Sequence, residues 1–282
     1  TADLLNAVLT HCPQRHSPSP CPTSTALSAP TASTRTNLQA LRNAARKETR
    51  ALAEERARHP FDDITTAPID YLPKAWSQPD GTLQDTVYEA YDLQAIRIDG
   101  AAEHPTALVQ STAMASVPPP VPTYRPILPK NLVQDGLLSA PQLESVIYAG
   151  NAHETHLKGW FKRGEIEGQL MAAAEGDEGA FRLRKGWFLG DGTGCGKGRQ
   201  VAGIILDNWL KGRRRAVWVS KSDKLIEDAR RDWIALGGRE SDIVPLSKFR
   251  QGSDIRLPEG ILFVTYATLR SAEREGKAAR LE

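Results

Sequence analysis

GWFLGDGTGCGKGR, at Gly186–Arg199, combines an apolar run with regularly spaced glycines and a lysine. Its three large apolar residues, Trp187–Leu189, predict a short buried strand, and glycine then recurs at every second position. A loop of this kind can curl so that several backbone N–H groups converge on one anion. The helix that begins near Lys197 adds its positive N-terminal end, and the lysine ammonium can reach the β- and γ-phosphates of a nucleotide. Strand, loop and helix together predict a phosphate-binding loop.

The loop departs from the common pattern G-x-x-x-x-G-K-[ST] at two positions. Asp191 stands where the first glycine belongs, and Gly198 stands where Ser or Thr would bind Mg²⁺. A glycine-rich turn without a ligand and a Rossmann-type dinucleotide site are the alternatives. The lysine after the last glycine argues against the dinucleotide site, as does the absence of an acidic residue beside Ser220. We expect the nucleotide to contact Asp191, Gly192, Thr193, Gly194, Cys195, Gly196, Lys197, Gly198 and Arg199.

The sequence on both sides of the loop alternates helical and strand patterns. Upstream, residues 142–157 predict a helix with Leu143, Val146 and Ile147 on one face, and residues 158–185 predict an exposed insertion. Downstream, we predict a helix from Lys197 that ends at Gly212, then a strand at Ala216–Ser220, an amphipathic helix at Asp223–Leu236, an edge strand at Ile243–Leu246 and a strong strand at Ile261–Thr265. The alternation favours a parallel sheet, and the predicted fold class is α/β, a RecA-like P-loop lobe over residues 131–282.

The N-terminal part of the chain has a different composition. Residues 1–36 are rich in Pro, Ser, Thr and Ala and predict disorder. Residues 37–59 predict a solvent-exposed helix in which glutamates interleave with arginines. Residues 60–104 contain short β-like pieces, at Thr86–Tyr91 and Ala95–Ile98, and no constellation to which we assign a function.

Prolines dominate residues 105–130. Because proline removes backbone donors and favours an extended backbone, we expect no helix between Pro105 and Pro129. A linker, or a strap lying over the next domain, is preferred to a motif that binds a proline-recognising partner.

Charge and cysteine content narrow the class of protein only slightly. The 36 basic and 34 acidic residues leave a net charge of +2, which gives no electrostatic reason to expect a polyanionic partner. Cys12, Cys21 and Cys195 have neither the number nor the spacing of a disulfide framework or a zinc site. No signal peptide or membrane-spanning apolar run is present in the sequence. We therefore expect a soluble protein of a reducing, cytoplasmic compartment, with no membrane partner.

Several stretches resemble one known family. They are GWFLGDGTGCGKGRQVAGII (Gly186–Ile205), AVWVSKSDKLIEDARRDW (Ala216–Trp233), ILFVTYATL (Ile261–Leu269), LSAPQLESVIY (Leu138–Tyr148) and the proline-rich segment His104–Pro129. They are similar to strawberry notch-like proteins, relatives of superfamily 2 helicases whose loop also has glycine after the lysine. Bacterial members include helicase–methylase fusions of phages and plasmids. The resemblance covers roughly residues 104–282.

The resemblance implies roles for individual residues. Gln142 would read the adenine edge of ATP, with a solvent-facing helix residue as the alternative. Ser220, Lys221, Thr265 and Tyr266 would touch the backbone of DNA or RNA, with a capped strand end as the alternative for the last two. The implied cofactors are ATP and, in the full-length parent, Mg²⁺. The implied partners are nucleic acid and a fused or associated methylase.

Hydrolysis in this superfamily needs an acidic pair on a later strand, which holds Mg²⁺ and positions water. No such pair follows Leu269, so we assign no catalytic residue here and expect that motif beyond residue 282. The predicted function is the N-terminal part of an ATP-dependent nucleic-acid helicase or remodeller that binds nucleotide without turning it over. A non-enzymatic transcription or chromatin co-regulator, supported by Gly198, is one alternative. A P-loop phosphotransferase is another, against which Ile261–Leu269 argues.

Overall fold

The computed structural model describes residues 58–77, 87–166, 169–250 and 252–270, and the single positions Asn43 and Lys47. The chain divides into two units, Thr1–Arg58 and His59–Glu282, and the elements below belong to the second. The segment 1–36 that we predict to be disordered lies outside the described residues. Of the predicted helix at 37–59, Asn43 and Lys47 are helical and exposed, whereas the rest up to residue 57 is outside the described part of the chain.

The second unit is built of short strands and helices. The strands are β1 (Thr66–Pro68), β2 (Leu72–Pro73), β3 (Tyr88–Ala90), β4 (Ile96–Arg97), β5 (Val109–Ser111), β6 (Ile127–Pro129), β7 (Trp160–Arg163), β8 (Leu170–Ala173), β9 (Arg215–Ser220), β10 (Ile243–Pro245) and β11 (Gly260–Thr265). The helices are α1 (Thr112–Ala115), α2 (Asn131–Gln134), α3 (Ala140–His153), α4 (Lys197–Leu210), α5 (Ile226–Ile234) and α6 (Tyr266–Leu269). The fold is α/β, as predicted.

A three-stranded parallel sheet has the order β10–β11–β9. The central strand β11 is apolar along most of its length and is buried, as expected for a parallel strand covered on both faces. Pro245 cannot donate a ladder hydrogen bond, and β10 accordingly lies at an edge. The parallel arrangement and the three predicted strands are therefore confirmed.

The core lies where α3, α4 and α5 pack together with β11. Leu143, Val146 and Ile147, the predicted buried face of α3, are almost fully buried. Trp209 of α4 and Trp233 of α5 are also fully buried, with ring centroids 5.5 Å apart. Burial of side chains this large contributes a few kcal/mol each, so this cluster fixes α5 against α4.

The predicted strand at Trp187–Leu189 is wrong. A strand persists only where its backbone pairs with a neighbour, and these residues pair with no strand in the described part of the chain. The ring of Trp187 instead stacks on Tyr148 of α3, with centroids 5.8 Å apart and planes inclined by 6°. Phe188 is 89% exposed. Aromatic stacking against a helix has taken the place of sheet pairing here.

Two other predictions need correction. The proline-rich segment contains the short helix α1, because the stretch between Pro105 and Pro118 has no proline and includes the helix formers Ala and Met. The helix predicted at Asp223–Leu236 is divided: a 3-10 turn at Asp223–Leu225 precedes α5. Ser222 caps that turn, with its hydroxyl accepting from the Lys224 N–H at 3.4 Å, which favours the tighter start.

The exposed insertion predicted before the loop is confirmed, and the structure shows that it contains a β-hairpin. Its strands β7 and β8 pair antiparallel, with Trp160 opposite Ala173. Leu170 and Met171 on β8 are half-exposed, so the hairpin contributes little to the core. Within the described residues no helix is long and apolar enough to cross a membrane.

Candidate nucleotide-binding site

The glycine-rich loop curls around the side chain of Lys197. Gly194 and Gly196 have φ angles of +91° and +71°, a conformation that residues with a Cβ rarely adopt, and Gly196 is the N-cap of α4. The Lys197 ammonium donates to the carbonyl oxygens of Asp191 at 2.9 Å and Gly192 at 2.5 Å. Its charge is therefore held at the mouth of the loop. A phosphate oxygen is a stronger acceptor than a backbone carbonyl, so the ammonium can exchange these carbonyls for phosphate.

Two buried glutamines support the loop from behind. Gln200, which is 1% exposed, donates through Nε2 to Asp191 Oδ2 at 2.9 Å and to the Cys195 carbonyl at 3.1 Å. Gln142 donates to the same carbonyl at 3.4 Å and accepts from the Ser139 N–H at 3.1 Å. Asp191, at the position of the usual first glycine, thus ties the start of the loop to α4.

Gln142 therefore contacts the loop backbone and does not face solvent, since only 8% of the residue is exposed. A Cβ at Gly196 would lie 2.4 Å from its Nε2, which shows how closely the two approach. Sequence reasoning missed Gln200. Its spacing of three residues from Lys197 places both on one face of α4, and that spacing is the signal by which it could have been found.

The other side of the first turn of α4 faces α5. A Cβ at Gly198 would lie 2.2 Å from Asp232 Oδ2. Arg199 also turns this way: its Nε lies 3.5 Å from Asp232 Oδ1 and its Nη1 donates to the Leu137 carbonyl at 3.0 Å. Burial raises the pKa of Asp232, against the opposing effect of Arg199 and Arg231. The guanidinium of Arg199, which we expected to contact phosphate, pairs with Asp232 and the Leu137 carbonyl in this structure. Asp232 is a residue that sequence reasoning missed.

A cavity of about 420 Å³ adjoins the start of the loop at Asp191. The stacked pair of Tyr148 and Trp187 lines it, together with the buried carboxyl of Glu144. The Tyr91 hydroxyl donates to Glu144 Oε2. Burial raises the pKa of Glu144 to about 7, although the hydrogen bond from Tyr91 lowers it. The cavity therefore offers aromatic rings and an acidic hydrogen-bonding group beside the start of the glycine-rich loop.

The four predicted nucleic-acid contacts lie at one end of the parallel sheet. Thr265 pairs with Ser220 in the register of β11 and β9, and Lys221 and Tyr266 follow these strand ends. The Thr265 hydroxyl accepts from the Thr268 N–H at 3.2 Å and so caps α6. Ser220 and Thr265 are buried, whereas Lys221 and Tyr266 are exposed. The structure brings the four together but leaves only Lys221 and Tyr266 accessible through their side chains.

This fold and this loop define a P-loop nucleoside triphosphate hydrolase domain. Residues 103–282 match the family model described as P-loop containing NTP hydrolase pore-1, and the chain belongs to this family. The match agrees with the extent of the resemblance found in the sequence.

The chain is also similar in sequence to several named proteins. The chain is 34% identical over 190 residues to Protein strawberry notch homolog 1 of Gallus gallus, which covers 66% of this chain and 14% of that protein. It is 35% identical over 189 residues to Protein strawberry notch of Drosophila melanogaster (65% and 10%) and 32% identical over 191 residues to Protein FORGETTER 1 of Arabidopsis thaliana (66% and 13%). The matched region is therefore a small part of each relative. No solved structure matches the chain.

Proposed function

We propose that this chain binds ATP with Mg²⁺ and forms the N-terminal part of an ATP-dependent nucleic-acid helicase or remodeller built on a RecA-like lobe. The observation that carries the proposal is the position of Lys197, whose ammonium lies 2.9 Å from the Asp191 carbonyl inside a loop that opens a helix. The helix N-terminus and the ammonium favour an anion at this place. The parallel sheet of β9, β10 and β11 supports the RecA-like architecture.

The cavity next to the loop is the natural place for the base of the nucleotide. It adjoins Asp191 and is of the size that small-molecule sites usually have. The stacked rings of Tyr148 and Trp187 supply an apolar wall on which a planar base can lie. Glu144 supplies an acceptor for an exocyclic amine, which adenine has. We expected Gln142 to read the adenine edge, but its amide is engaged by the Ser139 N–H and the Cys195 carbonyl. In this arrangement Glu144 therefore contacts the base, and Gln142 supports the loop.

Mg²⁺ bound together with ATP would neutralise part of the phosphate charge at this site. Magnesium prefers oxygen ligands and usually takes one or two carboxylates together with phosphates and water. The residues present fit this requirement, because the Asp232 carboxylate lies against the backbone of the first turn of α4. Lys197 holds the phosphates, and the helix N-terminus orients them.

The sheet end formed by Lys221 and Tyr266 is the proposed contact for nucleic acid. An exposed ammonium and an exposed aromatic ring suit a phosphate backbone and a stacked base, and neither reads sequence. This end of the sheet lies after β9 and β11, in the same unit as the glycine-rich loop. A strand of DNA or RNA held there would lie on the same lobe as the nucleotide.

Substitutions of two lysines test the nucleotide site and the nucleic-acid contact independently. Lys197→Ala removes a charged hydrogen bond to phosphate, worth about 1.5–3 kcal/mol, and should weaken ATP binding roughly 10- to 100-fold in a calorimetric titration. Lys221→Ala should leave ATP affinity unchanged and weaken binding of single-stranded DNA or RNA, measured by fluorescence anisotropy at low salt. Equal ATP affinity of the Lys197→Ala variant and the unchanged protein would refute the phosphate loop. Equal nucleic-acid affinity of the Lys221→Ala variant and the unchanged protein would refute the contact at the sheet end.

A further inference from the structure

We propose that Asp232 is the protein ligand of the nucleotide-bound Mg²⁺ and replaces the hydroxyl that Gly198 lacks. The inference rests on the proposed function, since it concerns the metal that accompanies ATP. In a phosphate-binding loop of the common type, the side chain after the lysine carries the hydroxyl that binds Mg²⁺. At Gly198 the space for that side chain is already taken: a Cβ would lie 2.2 Å from Asp232 Oδ2 and 3.3 Å from its Cγ. The Asp232 carboxylate of α5 thus takes the place of the Ser or Thr hydroxyl.

The position of Asp232 is fixed by the core. Its neighbour Trp233 is fully buried, packs on Trp209 of α4 and donates through Nε1 to Asp242 Oδ2 at 2.7 Å. Ala229, one turn earlier on α5, is buried against the same core. The Asp232 side chain, 13% exposed, is therefore presented to α4 by a rigid helix. A metal ligand needs such preorganisation, because misplacement by an ångström costs affinity.

The carboxylate of Asp232 has oxygen lone pairs to offer. Its ion pairs are long, 3.5 Å to Arg199 Nε and 3.8 Å to Arg231 Nη2, and both exceed the usual hydrogen-bond range. Arg199 Nε is itself buried with no hydrogen-bond partner among the described residues. Burial raises the pKa of Asp232, but both arginines lower it through their charges, and Arg199 also does so through a side-chain hydrogen bond, so a Mg²⁺ ion would share the carboxylate with them. A buried charge of this kind gains most from a close cation.

One side-chain oxygen in the first turns of α4 lacks a hydrogen-bond partner among the described residues. Gln200 is 1% exposed, and its Oε1 is buried without a hydrogen-bond partner in the described residues. Its Nε2, by contrast, is fully used by the loop. A buried acceptor without a donor costs about 1–3 kcal/mol and suits a metal-bound water, which donates two hydrogen bonds. Gln200 therefore has an unused acceptor beside the loop at the start of α4.

The alternative is that Asp232 only pairs with Arg199 and holds α5 on α4. A role of that kind would affect ATP binding equally with and without a divalent cation, whereas a metal ligand affects only the binding that depends on the cation. The experiment therefore measures ATP affinity of the full chain by calorimetry, once with Mg²⁺ and once with EDTA. Binding of Mn²⁺ to the protein–ATP complex, followed by electron paramagnetic resonance, gives a readout independent of activity.

Four variants test the inference. Asp232→Asn keeps the shape of the side chain, and Asp232→Ala removes it. In both variants the factor by which Mg²⁺ strengthens ATP binding should fall about tenfold or more, which corresponds to about 1.4 kcal/mol. Metal-free ATP affinity should not fall in either variant, which shows that the loop is folded. The double variant Gly198→Ser with Asp232→Ala places a hydroxyl in the vacated space and should restore the enhancement and the Mn²⁺ signal. Asp228→Asn, on the same helix and half-exposed, is the matched control and should behave like the unchanged protein.

Two results would overturn the inference. If Asp232→Asn and Asp232→Ala keep the full Mg²⁺ enhancement, or lose metal-free and Mg²⁺-dependent affinity in equal measure, Asp232 has a structural role and the proposed function stands. If the unchanged protein binds no ATP under either condition, the proposed function fails and this inference fails with it.

Discussion

Gly196 and Gln142 approach each other so closely that a methyl group at position 196 would lie 2.4 Å from the Gln142 amide nitrogen. Gly196 also has a φ of +71°, which costs a residue with a Cβ about 1–2 kcal/mol. The loop therefore depends on this glycine in two ways: for its backbone conformation and for contact with the glutamine that supports it.

Gly196→Ala should lower the free energy of unfolding by about 1–2 kcal/mol through φ alone and should also displace Gln142 from the Cys195 carbonyl. We expect ATP binding to weaken along with stability. Gly212→Ala is the matched control, because Gly212 has a φ of +84° and nothing within 4 Å of a Cβ. It should lose similar stability in a urea titration and keep its ATP affinity. Equal effects of the two variants on ATP binding would contradict the proposed role of the Gln142 contact.

Much of this site follows from sequence because it is local. The glycine spacing and Lys197 specify loop, helix start and charge within a dozen consecutive residues, and the structure places them as the pattern predicts. The strands β9, β10 and β11 were also predictable, since their apolar runs are bounded by clear turn signals. Local pattern fails at Trp187–Leu189, where strand formation depends on a partner strand that a sequence window does not contain.

The residues that sequence reasoning missed reach the site through tertiary packing. Asp232 lies 34 positions after Gly198 and approaches it only because Trp233 and Trp209 lock α5 onto α4. In the sequence Glu144 is an ordinary charged residue of a predicted helix. It is buried in the folded chain, where it accepts a hydrogen bond from Tyr91. Burial and inter-helix distance decide both roles, and a single sequence reports neither quantity.

Glu144 should make stability depend on pH in a characteristic direction. Burial raises its pKa from 4.5 to about 7, so the folded chain binds this proton more tightly than the unfolded chain does. The stability from protonation is fully present below pH 4.5 and is lost as pH rises towards 7. Glu144→Gln stays neutral and can still accept from Tyr91, so above pH 7 it should be more stable than the unchanged protein by about 3 kcal/mol. Near pH 4 the two should be similar.

Urea titrations of both proteins between pH 4 and pH 8.5 measure this difference, and subtracting one from the other removes the contribution of other titrating groups. A difference that does not change with pH would mean that Glu144 is not buried in the folded chain.

Cys195 provides a chemical probe of the loop. Its backbone carbonyl is held by Gln142 and Gln200, and the residue is partly accessible. If phosphates lie over the loop, bound ATP should slow alkylation of this thiol by iodoacetamide, which mass spectrometry of the peptide can follow. Adenosine, which lacks phosphates, should protect far less. Identical alkylation rates with and without saturating ATP would place the phosphates elsewhere.

Glu144 should determine whether the site prefers adenine or hypoxanthine. ATP and inosine triphosphate share the same ribose and phosphates, but adenine carries an amine where hypoxanthine carries a carbonyl oxygen. At pH 8 the carboxylate of Glu144 accepts from the amine and repels the carbonyl oxygen, since its pKa is about 7. We expect the unchanged protein to bind ATP roughly tenfold more tightly, about 1.4 kcal/mol, in parallel calorimetric titrations. Glu144→Gln offers both a donor and an acceptor and should bind the two nucleotides about equally.

The preference of the unchanged protein should also shrink at pH 5.5, where Glu144 is protonated and can donate to the carbonyl oxygen. Equal affinity of the unchanged protein for both nucleotides at pH 8 would show that the base lies outside this cavity, and it would leave the phosphate site at Lys197 intact.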